Sequence, residues 1–417
     1  MVSQARQAHR KVRTPNWGNA IDRGNDMNRS KQGGALESAP MRVAFLIDRW
    51  QPERGGAESA LCAFAAHLER NGHEVLAIGE RGPNPEHPAP GDFYPVHATG
   101  LTRGARERSL AERMLQRADA LGADCTIGVR HLPRVDLYWP HGGSHAETLR
   151  LAGKTPRGRH RVFLELEHQV VTEGASKVIC VSESVREEFL RLYPISQDRL
   201  VLISNGVDLE RHHTRHRRRA REALLAAAGW DDGAPLFTFV GRNAELKGLD
   251  TLLEALEPLR ERRWRLIVAG PKDLSEWRAY ARRLGFGDDR IALFEDLRSE
   301  DLSAGSDMLV LPSRRDPCPL VVLEALAAGT PVLVSDRVGA RDAIRTLEAG
   351  EVVAPLEERP AWTAALRRRL ARIHARPTDH EAVRACVRER SVEKSWKRLE
   401  HLVVETAECR RRLHHQP

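Results

Sequence analysis

The sequence predicts an α/β protein of two doubly wound, Rossmann-like domains that face each other across a cleft. Its 417 residues are too many for one ordinary domain and suit two of about 150–200 residues each. Short apolar runs of strand length recur along the chain, and segments with helical spacing separate them. Such alternation produces parallel sheets, which bind ligands at the carboxyl ends of their strands.

The composition is that of a globular protein and argues against several other classes. Hydrophobic residues make up 41 % and charged residues 30 % of the chain, which argues against a disordered protein. Apolar runs stay short of the roughly 18–20 residues of a membrane-spanning helix, and the N-terminus lacks the apolar stretch of a signal peptide. The six cysteines are isolated, without a C-x-x-C pair, which favours reduced thiols and a cytoplasmic location.

The formal net charge of +8 admits an anionic partner without identifying one. Nucleic acid, anionic lipid head groups and phosphorylated substrates all fit, and a solvated arginine-rich surface is the simplest explanation. Residues 1–40 are polar and basic with few branched aliphatic residues, so we expect them to form a disordered tail.

The first domain is predicted over residues 41–207. An apolar run at 42–47 has strand length, and the apolar residues at 60–68 recur at three- and four-residue spacing, which predicts a helix. Further strands are predicted at 74–78, 124–129, 177–181 and 200–203.

The second domain is predicted over residues 208–390, after a very basic stretch at 211–221 that suits a linker. Its strands are predicted at 236–240, 265–269, 291–294, 307–311 and 331–334, with helices between them. The repetition of the same alternation indicates a second sheet of the same kind.

One candidate ligand segment, residues 241–248, directly follows a predicted strand. Gly241 at the strand end allows a ligand to approach the backbone, and Arg242 and Lys247 bring two positive charges to the same edge. A guanidinium and an ammonium group suit the oxygens of a diphosphate. A solvated turn with two surface cations is the alternative.

A second candidate segment, residues 313–331, reads as a strand end, a proline-containing loop and a helix from about Pro319 to Gly329. The start of such a helix favours anions. Asp316 in the loop and Glu324 in the helix can accept hydrogen bonds from sugar and ribose hydroxyl groups. Alternatively, Asp316 only caps the helix and Glu324 is only a solvated helix residue.

Together these segments resemble the retaining glycosyltransferases of family 4, which have the GT-B fold. That family carries a G-R-x4-K-G segment, and an E-x7-E segment that continues as E-A-x-A-x-G-x-P-V. The matching residues here are Gly241, Arg242, Lys247, Gly248, Asp316, Glu324, Ala325, Ala327, Gly329, Pro331 and Val332. Asp316 is a departure, because most members have the longer glutamate there.

The resemblance implies a role for each charged residue. Arg242 and Lys247 would hold the diphosphate of a nucleotide-sugar donor and offset the charge of the leaving group. Glu324 would hold the ribose hydroxyl groups, and Asp316 would hold the donor sugar. Because no Asp-x-Asp follows a strand convincingly, no cofactor and no catalytic metal is expected.

The resemblance also implies uncharged elements of the donor site. Gly55 and Gly56 are similar to the family's N-terminal glycine loop, and the N–H groups of Leu320 and Val321 would point at the sugar and the β-phosphate. His141 stands where many relatives place a histidine that reaches the donor sugar, although it also suits a polar lining. Residues 391–417 are similar to a C-terminal helix that crosses back to the first domain.

The sequence D-P-x5-L-E around Asp316 is similar to a subgroup that includes the lipopolysaccharide core glucosyltransferases. This favours transfer of glucose from a UDP-linked donor to a glycan or lipid-linked acceptor of the cell envelope. The arginines at 101–120, interleaved with apolar residues, predict a basic amphipathic helix. Such a helix lies on an anionic membrane surface or is simply solvated.

Three other classes fit less well. A UDP-sugar epimerase of the same fold remains the nearest alternative, although the segment from Gly241 and Arg242 to Lys247, together with Asp316 and Glu324, favours a transferase. A nicotinamide dehydrogenase needs G-x-G-x-x-G after its first strand, where Gly55 and Gly56 stand alone. A nucleic-acid-binding protein is also disfavoured, because it would rest on the basic tail and linker alone.

Overall fold

The structure, a computed structural model, describes residues 39–231 and 233–414. The predicted tail at residues 1–40 therefore lies outside the described residues, except for its last two.

The first domain contains seven strands in one parallel sheet. They are β1 (Arg42–Leu46), β2 (Glu74–Gly79), β3 (Asp92–Pro95), β4 (Cys125–Gly128), β5 (Val135–Tyr138), β6 (Ala175–Cys180) and β7 (Leu200–Leu202). The sheet order is β3-β2-β1-β4-β5-β6-β7, so the strand order reverses between β1 and β4. The helices of this domain are α1 (Gly56–Arg70), α2 (Arg103–Ala120), α3 (His145–Leu151), α4 (Arg159–Gln169) and α5 (Glu183–Leu192).

The second domain repeats this plan with six parallel strands. They are β8 (Leu236–Val240), β9 (Arg265–Ala269), β10 (Ile291–Phe294), β11 (Met308–Leu311), β12 (Val332–Ser335) and β13 (Gly350–Val353), in the order β10-β9-β8-β11-β12-β13. Its helices are α6 (Arg217–Ala228), α7 (Leu249–Leu256), α8 (Leu274–Arg283), α9 (Ser299–Gly305), α10 (Leu320–Ala327), α11 (Arg359–Ala375) and α12 (His380–Ala385). The prediction of two Rossmann-like domains is confirmed.

The last helix, α13 (Val392–His414), returns to the first domain. At the domain junction, the N–H of Val207 donates to the carbonyl of Arg390 at 2.9 Å. Further along α13, Glu400 pairs with His67 of α1 at 2.9 Å, and Arg410 pairs with Asp136 of β5 at 2.9 Å. The C-terminal helix α13 therefore contacts the first domain, although it follows the second domain in sequence.

Buried apolar side chains hold each sheet to its helices. In the first domain Phe45 of β1 and Phe64 of α1 are fully buried, with ring centroids 6.1 Å apart. In the second, Trp264 and Trp362 are fully buried. In each domain the central strands are fixed in this way, and the loops at their carboxyl ends form the cleft.

None of the helices in the described ranges combines the length and apolar character that a membrane span requires.

Candidate active site in the interdomain cleft

The first predicted ligand segment folds back on itself after β8. A Cβ on Gly241 would lie 2.7 Å from Cγ of Lys247, and one on Gly248 would overlap the carbonyl oxygen of Pro312. Gly248 also has a positive φ of 78°, which favours glycine. The two glycines therefore allow residues 241–248 to pack tightly against the loop that follows β11.

Lys247 and Asp316 meet in a direct ion pair between Nζ and Oδ2. Asp316 is buried, at 7 % exposure. Its main chain is held as well, because its N–H donates to Arg337 at 3.2 Å and its carbonyl accepts from Gly339 at 2.8 Å. Burial raises the pKa of Asp316, and the charge of Lys247 opposes that rise.

The start of α10 faces the first domain. A Cβ on Gly56, the first residue of α1, would lie 3.6 Å from the Cδ1 of Leu320, the first residue of α10. The N-termini of two helices therefore converge on the cleft, and both present N–H groups and a positive dipole end. The structure thus brings Gly55, Gly56, Leu320 and Val321 to one place.

Arg242 crosses the same part of the cleft. This exposed side chain donates from Nη2 to the carbonyl oxygen of Glu53 at 3.3 Å, in the loop before α1. The glycine loop and the first candidate segment are therefore neighbours in space.

Glu324 lies in the second turn of α10 beside a histidine that the sequence analysis missed. The Nε2 of His212 lies 3.8 Å from Oε1 of Glu324, and its Nδ1 lies 2.9 Å from the hydroxyl of Ser303. Burial lowers the pKa of His212, although the carboxylate of Glu324 opposes that effect. His212 lies within the basic stretch at residues 211–221, which suggested only a linker, so no sequence signal indicated its contact with Glu324.

His141 lies in the loop after β5, and the next residue, Gly142, contacts Arg315 of the second domain. Its Nε2 is buried and has no hydrogen-bond partner among the described residues, and its ring centroid lies 4.4 Å from that of Trp139. Burial lowers the pKa of His141 to about 4, so the ring is neutral at pH 7. A buried nitrogen without a partner is costly, which marks His141 as a ligand-binding candidate.

Beside Asp316 the two domains enclose a cavity of about 370 Å³. The second domain contributes Asp316 and Pro317 to its wall, and the first contributes Glu147, Leu151 and Glu188. Most of the lining side chains are charged, which suits a polar ligand.

Two family models match the chain on either side of the domain junction. The one described as Glycosyltransferase Family 4 matches residues 54–211, and the one described as Glycosyl transferases group 1 matches residues 234–372. This chain belongs to the family 4 glycosyltransferases.

Curated relatives of this family 4 glycosyltransferase include enzymes whose names state different activities. D-inositol 3-phosphate glycosyltransferase of Saccharomonospora viridis is 32 % identical over 265 residues, 59 % of this chain and 58 % of that relative. The chain thus spans a little over half the length of that protein. Lipopolysaccharide glucosyltransferase WaaG of Escherichia coli is 24 % identical over 324 residues, 75 % of this chain and 85 % of the relative.

Solved structures show the same fold. The crystal structure of WaaG, a glycosyltransferase involved in lipopolysaccharide biosynthesis, has a TM-score of 0.76 and 21 % identity over 87 % of this chain and 99 % of its own. Anabaena HepE in complex with UDP-glucose has a TM-score of 0.68 and 18 % identity over 87 % of this chain and 98 % of its own. This family 4 glycosyltransferase therefore has the GT-B fold.

The predicted amphipathic membrane helix needs a correction. Residues 103–120 form α2, but Leu110, Met114 and Leu115 are buried in the first domain. The basic amphipathic helix is therefore confirmed, but its apolar side chains pack into the domain and cannot also enter a lipid surface. The arginines of α2 remain exposed, namely Arg103, Arg106, Arg108, Arg113 and Arg117, and so do the acidic Glu112 and Asp119 of the same helix.

Proposed function

We propose that the protein is a retaining glycosyltransferase that moves glucose from UDP-glucose to a hydroxyl group of a glycan or lipid-linked glycan in cell-envelope synthesis. The observation that carries the proposal is the ion pair of Lys247 with buried Asp316 at the start of α10. It supplies a cation for a diphosphate and an acceptor for a sugar hydroxyl side by side. The choice of UDP-glucose draws on HepE, whose structure contains that donor, and on the glucosyltransferase WaaG.

Within this proposal the second domain binds the donor. Arg242 and Lys247 hold the diphosphate, and the N–H groups at the start of α10 add to the positive potential. Glu324 accepts hydrogen bonds from the ribose hydroxyl groups, and Asp316 accepts them from the sugar. Because side chains and helix ends supply the positive charge, we expect no requirement for a divalent metal.

The first domain contributes neutral groups and the acceptor side. His141, neutral at pH 7, offers its buried Nε2 to a sugar hydroxyl. The acceptor occupies the cavity beside Asp316, so that its hydroxyl oxygen attacks C1 on the face that the diphosphate leaves. The bond from C1 to the phosphate oxygen breaks, a bond from C1 to the acceptor oxygen forms, and the proton passes to the departing diphosphate.

Ligand-induced melting shifts test the donor site. We expect UDP and UDP-glucose at 100 times their dissociation constants to stabilise the protein by about 2.7 kcal/mol, a shift of several degrees. GDP, ADP and NAD should have little effect. In Lys247→Met, compared with its own melt, the UDP shift should be lost, whereas Lys394→Met, which alters an exposed pair with Glu389, should keep it.

The ribose contact has a sharper test. Glu324→Ala should weaken UDP about 10-fold or more, as expected for a lost hydrogen bond to a charged group, but leave the affinity for 2′,3′-dideoxy-UDP unchanged. Proton NMR of the reaction then distinguishes transfer with retention, which releases UDP, from conversion of one UDP-sugar into another. A protein that melts cooperatively but responds to no nucleotide would refute the transferase proposal.

We further propose that the enzyme works at the cytoplasmic face of an anionic membrane, to which the exposed arginines of α2 attract it. Since the apolar face of α2 is buried, this attraction would be electrostatic and peripheral.

A further inference from the structure

Arg315, the residue before Asp316, reaches across the cleft into the first domain. Its Nη1 donates to the carbonyl of Gly142 at 2.6 Å and its Nη2 donates to the carbonyl of Ser144 at 3.3 Å. Nη2 also pairs with Oε2 of Glu188 at 2.8 Å, and both side chains are largely buried, at 11 % and 15 % exposure. The neighbouring Arg314 instead turns back to Asp250 of its own domain at 2.6 Å.

The loop that Arg315 holds is fixed from its other side by Glu167 of α4. This carboxylate is fully buried and accepts hydrogen bonds from the N–H of His145 at 2.6 Å and the N–H of Ala146 at 3.0 Å. It also accepts from the hydroxyl groups of Ser144 at 3.2 Å and Tyr193 at 2.5 Å. The loop of residues 141–146 therefore has one anchor in its own domain and one in the other.

Each end of the Arg315 contact adjoins a residue of the candidate site. Arg315 is bonded to Asp316 along the chain, and Gly142 is bonded to His141. One guanidinium group therefore fixes the spacing between Asp316 in the second domain and His141 in the first. Asp316 is proposed to hold the donor sugar, and His141 is proposed to reach the same sugar. Because the guanidinium group is planar, its charge-assisted hydrogen bonds fix the direction of the partner as well as its distance.

We propose that Arg315 is a positioning residue that, with Glu188, holds the His141 loop at a fixed distance from Asp316 across the domain boundary. The inference rests on the proposed function, in which Asp316 and His141 bind the same donor sugar. Arg315 acts through the loop, since its contacts are main-chain carbonyls and a carboxylate of the first domain. A displacement of about 1 Å in such a site reduces turnover about 100-fold.

The test compares Arg315→Met with Arg221→Met. Arg221 is also partly buried, but its side chain pairs with Asp307 inside the second domain at 2.6 Å, and it does not line the cavity. For Arg315→Met we expect kcat for UDP release from UDP-glucose to fall about 100-fold, with the dissociation constant of UDP within about threefold of wild type. Arg221→Met should keep kcat. Arg315→Lys should recover kcat only in part, because an ammonium group cannot reproduce the fork.

Variants of Glu188, the partner of Arg315, provide a second test. Glu188→Gln should lower kcat by itself, and Arg315→Met combined with Glu188→Gln should be no slower than Arg315→Met alone, as expected for groups that act as a unit. A variant that changed only the Michaelis constant of the acceptor, with kcat intact, would indicate an acceptor contact and overturn the proposal. Unchanged kinetics in Arg315→Met would overturn it too.

Two further measurements keep the proposal testable if Arg315→Met folds poorly or if the activity is not found. Gly143 has a positive φ of 67°, and a Cβ there would lie 2.6 Å from Nη2 of Arg315, so Gly143→Ala displaces the guanidinium without removing charge. Amide hydrogen exchange at residues 141–146 should accelerate in Gly143→Ala and Arg315→Met but not in Arg221→Met. Unchanged exchange refutes the positioning role, whereas a wild-type protein that neither binds nor cleaves UDP-glucose refutes the proposed function alone.

Discussion

Replacing Lys247 with methionine keeps most of the side-chain length but removes the ammonium group that pairs with Asp316. The Asp316 carboxyl then lies buried, at 7 % exposure, without that counter-charge. Burial already raises its pKa, and Lys247 is the largest influence in the opposite direction. In the variant the pKa rises further, so the folded protein binds a proton at this site more tightly than the unfolded chain does.

The free energy of unfolding that the variant loses can be worked out from the cost of protonating Asp316. An aspartate in the unfolded chain has a pKa near 3.9, so neutralising it costs about 5 kcal/mol at pH 7.5 and about 1.5 kcal/mol at pH 5.0. These are upper limits on the destabilisation, and the higher one agrees with the roughly 3–5 kcal/mol found when one partner of a buried pair is removed. Since the folded variant binds more protons than the unfolded chain, its stability deficit grows as the pH rises.

Urea unfolding at both pH values, followed by tryptophan fluorescence and circular dichroism, provides the assay. We expect Lys247→Met to lose about 3–5 kcal/mol at pH 7.5 and little more than about 1 kcal/mol at pH 5.0. Adding Asp316→Asn to Lys247→Met should restore most of the loss at pH 7.5. The exposed control Lys394→Met should show no measurable change. An equal deficit at both pH values would refute the reasoning, because packing losses do not titrate.

Two more expectations follow from the geometry. Burial lowers the pKa of His131 to about 3 and of His141 to about 4, so the unfolded chain binds more protons below pH 6.5. Stability should therefore fall on acidification between pH 6.5 and 4, by up to about 1.4 kcal/mol per pH unit for each histidine, and His131→Phe should flatten the slope in urea titrations. For α2, replacing Arg106 and Arg113 with glutamine should reduce co-sedimentation with vesicles containing phosphatidylserine at low salt. Equal binding of wild type to neutral vesicles would contradict the electrostatic attraction.

Buried central strands were the most predictable part of the fold. β1, β9 and β11 show continuous apolar runs because both faces of a parallel sheet are covered. Sequence patterns did not predict β3, a partly exposed edge strand that ends in Pro95, or β13, an edge strand that opens with Gly350. Nor did they predict β5, where Asp136 interrupts the apolar run and accepts a hydrogen bond from the main chain of Thr126 at 2.8 Å.

Within the candidate site, sequence spacing predicted the residues but not their contacts. Arg242, Lys247 and Asp316 lie on the loops that follow the adjacent strands β8 and β11, and Glu324 lies in α10 directly after the second loop, so their motifs placed them at one edge of the sheet. Contacts between side chains and loops that are distant in sequence have no such signature. Glu167 resembles any acidic residue of a surface helix, and only the fold shows that it is fully buried under the His141 loop.

The two arginines that cross the cleft differ in a way that assigns them different tasks. Arg242 is exposed, and its Nη2 donates to the carbonyl of Glu53 at 3.3 Å. A phosphate oxygen offers this guanidinium a charge-assisted bond, which is stronger than a bond to a neutral carbonyl. Arg315 is largely buried and bonds to two carbonyls and a carboxylate, so an incoming anion would have to break three contacts to recruit it. A diphosphate in this cleft would therefore bind Arg242, and Arg315 would keep its contacts between the two domains.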